Sequence, residues 1–123
     1  MTRYLTLEDL LALALDLGVG PVRDLGLLSA AAQRPATSLY GRDAYDTLNA
    51  KAGALLESIV SNHALVDGNK RLGWLALAVF FDINDVDLDV DEFVAEAVVM
   101  DVASGSLRMP EPIARIEHLR ANS

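Results

Sequence analysis

The segment His63-Ala64-Leu65-Val66-Asp67-Gly68-Asn69-Lys70-Arg71 gathers side chains suited to handling phosphate. An imidazole titrates near neutral pH, so His63 can take a proton as a general base. Asp67 offers a hard oxygen of the kind Mg²⁺ accepts beside nucleotide phosphates. Gly68 lets the backbone come close to a ligand. If a helix begins at Asn69, its unpaired N–H groups and positive dipole end attract an anion. That dipole disfavours Lys70 and Arg71 at the same end, so an anion is the reason for them. Each residue alone has an ordinary explanation: Asp67 and Asn69 as helix caps, Gly68 as a turn, His63 as a loop residue. Complementary roles packed into one short stretch argue for a site.

The surrounding pattern predicts the elements that position this stretch. Thr6 and Asp9 approach a capping box and open a helix from Leu7 to Leu17, which Gly18 and Gly20 end. Pro21 suits the first turn of a second helix, running to about Arg34, where Arg34-Pro35 breaks it. Residues 36–41 carry no helical period and read as a loop or a short hairpin. Ala52, Leu55, Leu56, Ile59 and Val60 recur at helical spacing, which predicts an amphipathic helix from about Asp43 to Asn62. The next helix, about Asn69 to Ile83, is apolar on every side and is expected to be central and fully buried. Phe93, Ala97 and Met100, with Val94 and Val98, mark a helix starting near Asp91. Pro110 and Pro112 begin a last one ending near Arg120. The expected architecture is all-α: one helical bundle over residues 1–123, with a possible hairpin flap at 36–41.

Composition narrows the function. A chain of 123 residues fits one domain with its own core. Ten basic against eighteen acidic residues, a net charge of −8, leave no basic stripe for a nucleic-acid duplex. The absence of cysteine excludes disulfides and thiolate metal sites and agrees with a reducing cytoplasm. No apolar run approaches the ~20 residues needed to span a bilayer, and the N-terminus does not read as a signal peptide. Asp85, Asp87, Asp89 and Glu96 fall at calcium-loop spacing, but Val90 stands where the loop needs glycine. They read instead as an acidic connection leading to a helix N-cap. Trp74 reads as core bordering the pocket, and Tyr40 and Tyr45 as flanking the flap.

At these residues the chain resembles the Fic family. HALVDGNKR is similar to the HxFxD(A/G)NKR loop of its Doc-type members, with Leu65 as the apolar anchor in place of Phe. Arg23-Asp24-Leu25-Gly26-Leu27-Leu28-Ser29-Ala30 and Arg34-Pro35 resemble a second Doc-like segment, RDxGLLxSAxxRP. The resemblance implies a compact Fic-type fold and transfer of part of a nucleotide to a protein hydroxyl. It implies His63 as the base, Asp67 holding Mg²⁺, and Gly68, Asn69, Lys70 and Arg71 holding the phosphates of ATP. It implies that Ala36, Thr37, Ser38, Leu39 and Tyr40 form a flap that aligns the target peptide by strand addition.

AMP-transferring relatives usually read GNGRxxR. Here Lys70 replaces the small residue and Trp74 the second arginine, as in Doc-type toxins. Those pass the γ-phosphate of ATP to a Thr of elongation factor Tu and are silenced by a Phd-like antitoxin. The resemblance therefore implies a kinase that blocks translation, with AMP transfer as the alternative. A degenerate fold that only binds partners is a third reading, and the intact His63, Asp67, Asn69 and Arg71 argue against it. The antitoxin is expected as a helical tail in an apolar groove covering the pocket or flap.

Overall fold

The computed structural model describes residues 1–108 and 110–121. Among them, α1 (Leu7–Leu17), α2 (Leu25–Gln33), α3 (Leu48–Asn62), α4 (Asn69–Ile83), α5 (Glu92–Ala103) and α6 (Glu111–Ala121) build the helical bundle. A 3-10 turn, Arg34–Ala36, leads into a small hairpin of β1 (Ser38–Leu39) and β2 (Arg42–Asp43). The strands pair antiparallel, Ser38 with Asp43 and Leu39 with Arg42.

The start and stop signals of α1 act as expected. The Thr6 side chain accepts from Asp9 N–H and Asp9 returns the bond, closing the capping box. Gly18 ends the helix in the left-handed conformation. The second helix begins later than Pro21 suggests. Asp24 caps it by accepting from Leu27 N–H, and residues 20–24 stay out of the helix because their backbone bonds to the loop after α3. The third helix begins at Leu48 rather than Asp43, because Thr47 caps it and Asp43 belongs to β2. The hairpin is likewise displaced from 36–41 to 38–43, and Ala36 lies in the 3-10 turn.

Helices α3 and α4 share the centre. Helix α3 buries Leu55, Leu56, Ile59 and Val60 together with the polar Lys51 and Ser58. It packs against α2, α4, α5, α6 and the 3-10 turn. Helix α4 has the expected bounds and buries Leu72, Ala76, Leu77, Phe80 and Phe81. It is not buried all round: Trp74, Leu75, Ala78 and Val79 are half-buried. Gly73 allows the close approach to α3, since a Cβ there would meet Val60 at 2.6 Å.

On α5 the inward face is Ala95, Val98, Val99 and Val102. The apolar line through Phe93, Ala97 and Met100 instead faces outward, with Phe93 84 % and Met100 46 % exposed. The reason is that α5 carries two apolar stripes, and the one built of Val and Ala packs closest. Asp91 caps α5 through Phe93 N–H, as its place at the end of the acidic connection suggests. No cluster of three potential metal ligands occurs among the described residues, the acidic connection included.

Candidate active site

The loop 63–68 joins the C-terminus of α3 to the N-terminus of α4. His63 ends α3 in a left-handed conformation (φ 54°, ψ 44°) that non-glycine residues seldom adopt. Its side chain is exposed. Leu65 is buried to 1 % exposure and anchors the loop. Asp67 is 83 % exposed and lies 3.9 Å from Arg71, one helical turn on.

Helix α4 starts at Gly68 with no side-chain cap. Asp67 and Asn69 therefore do not cap it, and the first N–H groups of α4 stay directed at whatever approaches. Lys70 and Arg71 are exposed beside them. This end of α4 can take an anion, and the Asp67 carboxylate beside it can take a divalent cation that brings its own phosphate and water ligands. A lone hard oxygen suits Mg²⁺ held through a nucleotide. It does not suit an all-protein metal cage.

The Asn69 side chain, expected beside the phosphates, has partners within the loop itself. It accepts from Leu65 N–H and donates to Leu65 C=O, both at 3.0 Å, so it braces the loop from inside.

A second brace comes from residues 20–24, for which the sequence pattern RDxGLL gave a signal of importance but no role. Val22 bridges Leu65. Gly20 N–H donates to Asp67 C=O, Val66 N–H to Pro21 C=O, and Arg23 and Asp24 N–H to Ala64 C=O. Arg23 Nη2 donates to His63 C=O at 2.5 Å. The loop is thus gripped along its length by a segment some forty positions upstream.

Gly68 is the tightest point of the grip. It has φ 94°, and a Cβ there would fall 2.4 Å from the Cβ of Val19. Gly68→Ala is expected to cost about 1–3 kcal/mol from backbone conformation alone, with the Val19 clash added. Urea unfolding measures the loss, and a Val19→Gly partner change should recover the clash portion only.

The flap follows the 3-10 turn at the far end of α2. Tyr40 (φ 52°) and Gly41 (φ 77°) form its tip, and Leu39 and Tyr40 are exposed. Thr37 C=O accepts from Ala44 N–H at its base. Arg34, foreseen as a helix breaker and as part of the second Doc-like segment, donates to the Tyr45 hydroxyl, to Glu57 and to Ser58. Burial by itself would lower its pKa, but the bonds to Glu57 and Tyr45 outweigh that and raise it. Lys51, unremarked in the sequence, is buried and donates to Asp43 and Tyr45 C=O. A lysine between alanines on an apolar helix was the available signal.

Beside the head of α4 lies a groove of about 690 Å³ between α1, α4 and α5. Lys70 and Arg71 stand at one end, and Leu17, Trp74, Phe93 and Met100 line its apolar part. The outward stripe of α5 is one wall of this groove.

A helical fold with this loop at the head of α4 defines a class. The chain belongs to the Fic/DOC family, whose profile matches residues 4–81, from the approach to α1 nearly to the end of α4. Members of the family are transferases that act on protein hydroxyls. The chain is also similar to Toxin Doc of Mycolicibacterium smegmatis, at 50 % identity over 111 residues, spanning 85 % of this chain and 83 % of that protein.

Among the described residues, no helix is long and apolar enough to cross a membrane.

Proposed function

We propose that this protein is a Doc-type toxin kinase of the cytoplasm, which transfers the γ-phosphate of ATP to a Thr or Ser hydroxyl of elongation factor Tu and so blocks translation. The observation that carries the reading is the uncapped start of α4, with Asp67, Lys70 and Arg71 exposed around it. The likeness to a protein named as a toxin supports the biological role.

In this reading His63 takes the proton of the target hydroxyl. The hydroxyl oxygen bonds to the γ-phosphorus as the bond from that phosphorus to the β–γ bridging oxygen breaks, and ADP leaves. Lys70, Arg71 and the N–H groups at the head of α4 hold the phosphates and offset their charge. Asp67 would hold Mg²⁺, which would supply positive charge to offset that of the phosphates. Intact-mass measurement of elongation factor Tu after incubation with the protein and ATP tests the reading. A phosphate increment supports it. An AMP increment would put AMP transfer in its place, and no change would favour a fold that only binds.

The groove between α1, α4 and α5 is where the antitoxin belongs in this reading. An exposed Phe93 in a large apolar groove calls for a partner. A helical tail of a Phd-like antitoxin, seated there, would close over Lys70 and Arg71. Without it the protein should arrest bacterial growth, and co-expression of the antitoxin should restore it. Free protein that accumulates harmlessly in bacteria, yet modifies its target in vitro, would overturn this part.

A further inference from the structure

A hairpin of two-residue strands cannot hold itself in shape. Isolated hairpins are marginal in water even when longer, and both strands of this one are exposed. Its order must come from its attachments, and these are concentrated on the returning leg, residues 43–45. The Lys51 ammonium, on a side chain only 3 % exposed, reaches the Asp43 carboxylate at 3.2 Å and also takes Tyr45 C=O. Arg34 Nε donates to the Tyr45 hydroxyl at 2.9 Å, and the guanidinium is fixed from behind by Glu57 at 2.8 Å and Ser58 at 2.9 Å. Both cations come from rigid ground: Lys51 from α3, Arg34 from the junction of α2 and the 3-10 turn.

Resting on the kinase reading above, we propose that Lys51 and Arg34 are positioning residues for the protein substrate: they clamp the returning leg of the flap to α3 and so keep a strand edge ready for the target peptide. Strand addition gains affinity from main-chain hydrogen bonds. An edge that must first be ordered loses part of that gain, by roughly tenfold for each backbone position that has to be frozen. In that reading the nucleotide is held at Gly68 to Arg71, and neither Lys51 nor Arg34 is among the residues that hold it.

Lys51→Met separates this role from a merely structural one. Methionine keeps the length and the helix preference of lysine, and the Asp43 carboxylate it leaves behind is 57 % exposed, so water takes the place of the ammonium and no buried charge is orphaned. Tyr45→Phe is the second variant and removes only the hydroxyl that Arg34 holds. Full-length wild type and both variants are compared by amide exchange and by steady-state kinetics with elongation factor Tu and ATP. The expected result is faster exchange across residues 38–45 and a KM for elongation factor Tu raised roughly tenfold in Lys51→Met. The KM for ATP, kcat and the melting temperature should stay near wild type.

Unchanged exchange in both variants would overturn the clamp. So would faster exchange with no change in the KM for elongation factor Tu, or a melting temperature that falls in step with activity. A wild type that leaves elongation factor Tu unmodified would instead sink the kinase reading, and the exchange result would then judge the clamp alone.

Discussion

Replacing His63 by Ala or Gln should abolish phosphate transfer and toxicity while leaving a folded protein. Proton removal by a positioned histidine contributes ~10²–10⁴-fold to such reactions. The fold has little to lose, because the His63 side chain is exposed and takes no part in the core. Its backbone makes a sharper contrast available. At φ 54° and ψ 44° it occupies the position at which helices often end in glycine. A left-handed conformation costs an ordinary L-residue roughly 1–2 kcal/mol, so His63→Gly should stabilise the protein by about that amount while removing the base. Activity and stability would then move in opposite directions at one position. Urea unfolding and a growth-arrest assay read the two. Undiminished arrest by a folded His63→Ala protein would remove His63 from the chemistry.

The second large effect concerns which phosphorus meets the hydroxyl. The protein's part in phosphoryl transfer is mostly to position groups and offset charge, so the product depends on how the nucleotide lies. Presenting the α-phosphorus would require a roomy anion hole for the β- and γ-phosphates and a second arginine one turn into α4. Lys70 is exposed at the head of that helix, where it crowds such a hole and adds its own charge. Trp74 occupies the arginine's place and sits half-buried in the groove wall. The nucleotide should therefore present its γ-phosphate, with Lys70 and Arg71 offsetting charge as the bond to the β-phosphate breaks. Label from γ-³²P-ATP should appear on elongation factor Tu, label from α-³²P-ATP should not, and ADP should accumulate. The reverse pattern would mean that Lys70 and Trp74 do not set the orientation. A Lys70→Gly, Trp74→Arg double variant should lose the kinase activity.

Much of this architecture was legible from residue order because its signals are local. The capping box at Thr6, the glycine at 18 and the period through Ala52, Leu55 and Ile59 each act within a turn or two of themselves. The apolar block from Leu72 to Phe81 marks a central helix in the same way. What the sequence left unread depends on distant partners. Pro21 has the credentials of a helix start, yet its carbonyl is bonded to Val66 N–H and the chain stays extended. Asn69 also bonds to the N–H and C=O of Leu65, a brace that its place in the motif does not announce. The two apolar stripes of α5 are nearly equal in composition, so only packing decides which one faces in. Lys51 drew no notice in the sequence because its partners, Asp43 and Tyr45, come to it only when the hairpin folds back on α3.

The brace and the clamp have one element in common. Arg23 and Asp24, which grip the loop of His63, precede α2, and Arg34, which holds the flap, follows it. At about 1.5 Å of rise per residue, α2 is a rod that sets the spacing between the loop of His63 and the hairpin. Adding or deleting one residue within Leu25–Gln33 would turn one end against the other by roughly 100°, aiming Arg34 away from Tyr45 even with every side chain of the site intact. The length of this helix thus fixes how the loop of His63 and the hairpin are turned toward one another. Chimeras that exchange α2 should keep its residue count unchanged.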